Sequence, residues 1–157
     1  MSYPIDPKSI QVRDRVVEVL GDIVEGDDFF KTPGAVCDNW KHWKEVDTFP
    51  TYEVWFGPGE PLLNRAGLMA EETFTFIVHG RIRNDEDAPG EVRKCIRDVR
   101  KALMDDRVSG VSDSLGELCL MLKIGRTETD NGQESASGFG WFNQEFLCTV
   151  SGAIEDL

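Results

Sequence analysis

The chain has 157 residues, of which 40% are hydrophobic and 29% charged, with a formal net charge of -12. This length predicts one domain with a buried core, and so acidic a chain is a poor candidate for wrapping nucleic acid, since phosphate binding relies on clustered cations. No apolar run approaches a membrane span and residues 1–6 lack the regions of a signal peptide, so we expect a cytosolic product without membrane contact.

The N-terminal third predicts one helix followed by a segment without clear periodicity. Residues 1–8 contain two prolines and predict a flexible lead-in. Ser9 is the predicted N-cap, and apolar residues then recur at helical intervals up to Val24. Farther on, Trp40 and Trp43 stand in polar surroundings, where they either close one end of the core or dock on a neighbouring subunit.

The middle of the chain predicts two strands separated by a long connection. Residues 49–56, entered through Pro50, are rich in aromatic and β-branched side chains and predict the first strand. Residues 57–71 show no regular spacing and are expected to form a long loop, which in a compact domain is usually functional or disordered. Its apolar residues include Leu62, Leu63, Leu68 and Met69.

Residues 73–83 predict a strand with one dry face and one mostly wet face. The dry face carries Phe74, Phe76, Val78 and Ile82. On the other face we expect His79 and Arg81 to be solvated. After a polar turn, Pro89 opens a helix whose apolar stripe predicts packing across the dry face of the sheet. The basic side of this helix, which includes Arg97 and Arg100, is expected to be solvated or to meet an acidic neighbour in an assembly.

Two closing strands, residues 118–124 and 141–150, follow a turn-rich link at 105–116 and flank a Gly/Ser-rich acidic loop at about 125–140. The whole order is helix, strand, strand, helix, strand, strand. It predicts a single α+β domain with a largely antiparallel four-stranded sheet and two helices packed on one face. In that arrangement Phe76, Ile96 and Phe146 are expected to be buried together.

We find no sequence signature of catalysis, and therefore predict that the protein is not an enzyme and has no cofactor or metal. The chain lacks a GxGxxG motif, a P-loop, an HExxH motif and a nucleophile elbow. Cys37 and His42 lack a second pair of ligands, and the acidic clusters at 27–28 and 85–87 occupy turns where such residues are favoured. The four cysteines are widely spaced and predicted to be free thiols.

The order of elements resembles a known family. An amphipathic helix leads to an aromatic-Pro-x-x-x-Val strand at 49–54, a long Thr/Phe/Val strand at 72–83, a helix with apolar residues at 92, 96, 99 and 103, and two closing strands. This pattern resembles the tail terminator, or tail-completion, proteins of long-tailed bacteriophages, of the minor tail protein U type. It is also similar to the small head–tail connector proteins of the neck. The segment 34–44 departs from the shorter link expected there.

The resemblance implies a structural role in the tail or neck of a virion assembled in the host cytoplasm. Proteins of this family form a ring, commonly a hexamer, that stops polymerisation of the tail tube and presents a surface to the head. For this chain it implies a homo-oligomer with the tail tube protein and head–tail connector proteins as partners. DNA would pass through an acidic lumen without specific binding.

The expected partner interface combines the connection at 57–71, the tryptophan pair and the basic helix side. Its candidate residues are Leu62, Leu63, Leu68, Met69, Trp40, Trp43, Arg97 and Arg100. We expect the connection to order on a neighbouring subunit or on the tube, and the loop at 125–140 to project toward the lumen or a partner ring.

Three alternatives remain open at the level of sequence. One is a small head–tail connector or neck protein. Another is an enzyme or ligand-binding module on a similar scaffold. The third is a cytosolic protein-binding adaptor with no virion role, anchored by Trp40, Trp43 and Trp55.

Overall fold

The computed structural model describes residues 4–106, 118–130 and 138–157, without the side chains of residues 43 and 66. Within these ranges the chain forms two α-helices, α1 (Lys8–Gly21) and α2 (Ala88–Asp105). Its strands in chain order are β1 (Ala35–Cys37), β2 (Thr51–Phe56), β3 (Leu62–Ala66), β4 (Met69–Arg83), β5 (Met121–Thr129) and β6 (Phe139–Gly152). Single 3-10 turns occur at Trp43–Glu45 and Ile154–Asp156.

β4 is the strand on which the sheet is built. On one side it pairs antiparallel with β6 from Ala70 to Arg83. On its other side the first part of β4 pairs with β3 and the last part with β2, both antiparallel. β1 adds in parallel to β2, and β5 adds antiparallel to β6. The strand order is therefore β1-β2-β4-β6-β5, with β3 beside β4.

The predicted α+β class is confirmed, but the prediction of a four-stranded, largely antiparallel sheet is wrong, because the sheet has six strands and is mixed. β1 has three residues, which is too short to show an alternating pattern. β3 lies in the segment expected to be a loop, and residues 62–65 are exposed on both sides of the strand, so no apolar alternation marks it.

The hydrophobic core lies between one face of the sheet and the two helices. Val16 of α1 and Val92 of α2 join one buried cluster with residues of β2, β4 and β6. Phe76, Ile96 and Phe146 are each at most 2% exposed within this cluster, and the rings of Phe76 and Phe146 stack with centroids 5.2 Å apart. The prediction that these three residues are buried together is confirmed.

The two helices begin in different ways. At α2 the Asp87 carboxylate accepts a 3.0 Å hydrogen bond from the Gly90 N–H, and Pro89 occupies the first turn, as the sequence predicts. At α1 the predicted N-cap is wrong. Pro7 holds that position, and its carbonyl accepts hydrogen bonds from the Ile10 and Gln11 N–H groups. Ser9 therefore lies inside the helix.

The C-terminal hairpin has a longer strand and a shorter loop than predicted. β5 begins at Met121 and continues to Thr129, through residues expected to belong to the loop. A register shift between Ile124 and Thr127 divides the strand, and the residues after it alternate polar and charged groups, which resemble a loop in sequence. Residues 131–137 of the predicted loop and 107–116 of the predicted link lie outside the described residues.

Candidate protein-interaction surface

The β3–β4 hairpin carries large apolar side chains that no other part of the described chain covers. Ala66 pairs with Met69, so the turn has two residues, and Gly67 adopts a left-handed φ of 65° that glycine tolerates without strain. Leu68 at the tip is 90% exposed and Leu62 is 72% exposed. Leu63 and Met69 are exposed as well. Four exposed large apolar side chains on one hairpin make it a candidate interaction surface, and its contact with a partner stays a prediction.

A gap in the sheet lies at the base of this hairpin. β2 pairs with β4 as far as Phe76, and β3 begins opposite Thr73, so two positions of β4 face an irregular segment instead of a strand. There the Gly57 N–H donates to the Thr75 carbonyl at 2.8 Å. The resulting cavity, here called the notch, measures about 370 Å³. Its apolar lining comes mainly from Phe56, Pro58, Pro61, Leu62, Phe74 and Leu147.

Two carboxylates, Glu60 and Glu72, also line the notch. Burial raises the pKa of Glu72 above its ordinary value. Within the described chain neither carboxylate has a side-chain hydrogen bond or an ion pair. A half-buried carboxylate without a cation nearby is less stable in its charged form than a carboxylate in water. A cation brought by a partner would stabilise that charged form.

Trp40 lies over a buried ion pair on the face of the sheet opposite the helices. Trp40 is 59% exposed, and the guanidinium carbon of Arg81 lies 5.9 Å from its ring centre. Arg81 Nη2 is 3.6 Å from Glu53 Oε2, and both residues are buried. The Lys41 N–H donates to Glu53 Oε1 at 2.6 Å, so the chain before β2 closes over the pair. Burial raises the pKa of Glu53, although the Lys41 N–H and Arg81 act against this.

His79 lies beside this pair and is held as a neutral ring. Its Nδ1 is 2.6 Å from Asn143 Oδ1, and Arg81 Nε donates to its Nε2 at 3.2 Å. Because arginine only donates, Nε2 is the acceptor and Nδ1 carries the proton. Trp55 stacks on the ring with centroids 4.7 Å apart, and burial lowers the pKa of His79 to about 4. The expectation that His79 and Arg81 are solvated is therefore wrong, because Trp55 and Trp141 lie against the His79 ring and Trp40 lies over Arg81.

Arg100 contacts the sheet instead of solvent. Its Nε donates to Gln144 Oε1 at 2.9 Å and its Nη2 to Thr127 Oγ1 at 2.8 Å. These bonds satisfy Gln144, which is fully buried on the helix side of β6. The prediction of a solvated side chain is wrong for Arg100, and its contact with a partner stays a prediction.

Arg97 is exposed, as expected, and lies over the ring of Phe30 at 5.3 Å. Its neighbour Asp98 is fully buried and accepts hydrogen bonds from the N–H groups of Phe30 and Lys31 at 3.0–3.1 Å. This carboxylate ties the chain after α1 to α2. Asp98 is not among the residues predicted from the sequence, although its position three residues after Cys95 places it within the apolar stripe of α2.

The eight predicted interface residues do not form one surface. Leu62, Leu63, Leu68 and Met69 come together on the hairpin, whereas Trp40 lies with the buried ion pair and the two arginines lie on α2. The side chain of Trp43 is outside the described residues.

No group of three or more metal-ligating side chains occurs in the ranges that the structure describes, and no helix there is long and apolar enough to cross a membrane. All four cysteines are free, and three of them are buried in the core.

Comparison with known proteins finds a match in structure. No protein-family model and no curated protein matches this chain. Among solved structures, a chain from the virion of a native gene transfer agent particle superposes on it with a TM-score of 0.52 at 15% sequence identity. The match covers 90% of this chain and 92% of that one. The two chains share a fold.

Proposed function

We propose that this chain is a structural protein of a phage-like particle, located in the virion and acting through assembly, not catalysis. The observation that carries the proposal is the match to a gene transfer agent virion chain, which covers 90% of one chain and 92% of the other. Such coverage extends over most of both chains and exceeds a shared supersecondary motif. Fold alone never fixes function, so the remaining support has to come from the surface.

Within such a particle we propose the role of a tail terminator: a homo-oligomeric ring, six copies in the family it resembles, that ends tube polymerisation and joins tail to head. The surface supports this because the β3–β4 hairpin presents exposed apolar side chains that a neighbouring copy could cover. One such patch contacting a different patch on the next copy generates a ring when the rotation closes. A net charge of -12 suits a lumen through which DNA passes without binding.

The buried cluster beside Trp40 argues against two of the alternatives, an enzyme and a protein-binding adaptor. His79 is neutral, enclosed by Trp55 and bonded on both nitrogens, so it is not presented to a substrate. Trp55 is half-buried against this ring and therefore serves the fold more than an adaptor surface.

Light scattering coupled to size-exclusion chromatography, followed by negative-stain electron microscopy, tests the ring. We expect a closed oligomer with a central channel, either alone or after mixing with tail tubes purified from a phage-like particle. A terminator caps one end of these tubes. Binding to tail-less heads without capping would favour the neck connector, and a persistent monomer that binds neither would refute the virion role.

A further inference from the structure

We propose that copies of this chain join by seating the tip of the β3–β4 hairpin of one copy in the notch of the next. This joint rests on the proposed ring and gives it a specific contact. The occupant of the notch is a second copy because the chain itself carries a tip that matches the notch in shape and in charge.

The tip of the hairpin and the notch match in shape. Leu68 and Met69 project there as an exposed apolar pair, and Arg65 beside them donates from its Nε to the Gly67 carbonyl at 3.2 Å. The notch offers about 370 Å³ behind apolar walls that include Phe74 and Leu147. This volume is large enough to receive an aliphatic side chain with part of its turn, which would remove apolar surface from water on both copies.

The tip and the notch also carry opposite charges. The notch carries Glu60 and Glu72, whose carboxylates have no ion pair in the described chain. The tip carries the exposed cation of Arg65. Docking the tip would bring a guanidinium to a pair of carboxylates, one of which is already half-buried, so the contact is complementary in sign and in polarity.

The tip cannot fill the notch of its own chain. Leu62 pairs with Thr73 at the base of the hairpin and Ala66 pairs with Met69 at its tip. Four strand positions separate these pairs, which is roughly 14 Å at the usual rise. Tip and notch are different patches on one hairpin. A contact made once between two neighbouring copies is heterologous and builds a ring or a filament, whereas a reciprocal contact would close a two-fold dimer; we propose the heterologous contact.

Disulfide trapping tests the joint directly. The variant combines Leu68→Cys at the tip with Pro61→Cys in the notch, in a Cys37→Ser background that removes the one native cysteine that is not buried. Oxidation with copper phenanthroline should give a ladder of covalent multimers on a non-reducing gel, ending at the size of the ring. The matched control replaces Pro61→Cys with Glu86→Cys, an exposed position before α2, and should stay monomeric on the gel.

Charge reversal provides a second measurement. Arg65→Glu and Glu72→Lys should each raise the concentration at which the oligomer dissociates at least tenfold, while the variant that carries both should recover much of the loss. The circular dichroism melting curve of each variant shows whether the subunit is still folded. Failure of the double variant to recover, with folded subunits, would contradict the charge pairing.

The outcomes separate this joint from the proposed function. A ring without a cross-link between positions 68 and 61 would overturn the joint and leave the ring intact. Covalent dimers alone would show a two-fold exchange of hairpins and overturn the heterologous contact. A monomer at every concentration, with and without tail tubes, would overturn both proposals.

Discussion

The two faces of the sheet around β4 are both covered, but they are covered by different chemistry. On the helix side, Phe76 and Phe146 stack beneath α2 in an apolar core. On the other side, Glu53 and Arg81 are buried with His79 under Trp40 and the backbone of Lys41. The first face gains stability from apolar burial, which needs no particular partner. The second depends on each polar group keeping its partner.

This difference predicts two kinds of response to mutation. Truncation on the helix side should cost free energy in proportion to the volume removed. On the polar side the cost should depend on whether a partner is left behind, so two substitutions made together can be milder than either one alone.

The largest effect is expected on the helix side. Phe76→Ala and Phe146→Ala should each lower the free energy of unfolding by about 3–5 kcal/mol, because each leaves a cavity in a closely packed core. Urea denaturation followed by circular dichroism measures this loss. Thr75→Ala, one position along β4 on the opposite face, is the matched control and should change stability much less. Parental stability of either phenylalanine variant would show that this face is not the core.

Breaking the buried ion pair between Glu53 and Arg81 should cause the second-largest loss of stability. Glu53→Leu or Arg81→Met alone leaves one buried charge without its partner and should cost about 3 kcal/mol or more. The double variant removes both charges and should lose less than the sum of the single variants, so that the double-mutant cycle gives a coupling energy. If the losses of unfolding free energy are additive, Glu53 and Arg81 contribute independently of each other. The polar face would then not depend on paired partners, and the contrast with the apolar face would be lost.

The pH dependence of stability sharpens the same comparison. Burial beside Arg81 holds the pKa of His79 at about 4, whereas an unfolded histidine titrates near its ordinary value of 6.5. As the pH falls between these values the unfolded chain binds the additional proton, so stability falls, by about 3 kcal/mol at pH 4. The raised pKa of Glu53 acts in the opposite direction, because the folded chain retains that proton as the pH rises.

His79→Asn isolates the histidine contribution to that profile. The variant keeps an amide that donates toward Asn143 but does not titrate, so the difference in unfolding free energy between parent and variant should change with pH between 6.5 and 4. A constant difference across this range would show that His79 titrates normally in the folded chain and is not enclosed.

The contrast between the faces also explains what the sequence could predict. Apolar alternation at Phe74, Phe76 and Val78 and the stripe at Ile96 and Val99 repeat at the periods of strand and helix, and the structure confirms the layers they predict. The polar face carries no such repeat, because a buried arginine and a solvated one look alike in sequence.

Nor could the sequence identify β3 or the notch. An edge strand exposed on both sides has no burial pattern. β3 can pair with β4 because β4 extends beyond the part that pairs with β2, and the sequence does not show this length. The interface predicted at Leu62, Leu63 and Leu68 stays a prediction, but the loop predicted for this segment is wrong, because residues 62–66 pair with β4 as a hairpin.

The smallest effect on the stability of the isolated subunit is expected at the β3–β4 hairpin. Its exposed apolar side chains are covered neither by the helices nor by Trp40 and the chain around it. Leu62→Ser with Leu63→Ser should change the unfolding free energy of the monomer by no more than about 0.5 kcal/mol, since more than half of each residue is already exposed to water. The same variant should lose the ring or the capping of tail tubes, measured by light scattering and electron microscopy. Ile5→Ser with Val24→Ser removes equally exposed apolar groups elsewhere and should assemble normally. If the hairpin variant assembles like this control, the hairpin is not the interface. If instead the unfolding free energy of its monomer falls clearly, the two leucines stabilise the fold, as the residues of the two covered faces do.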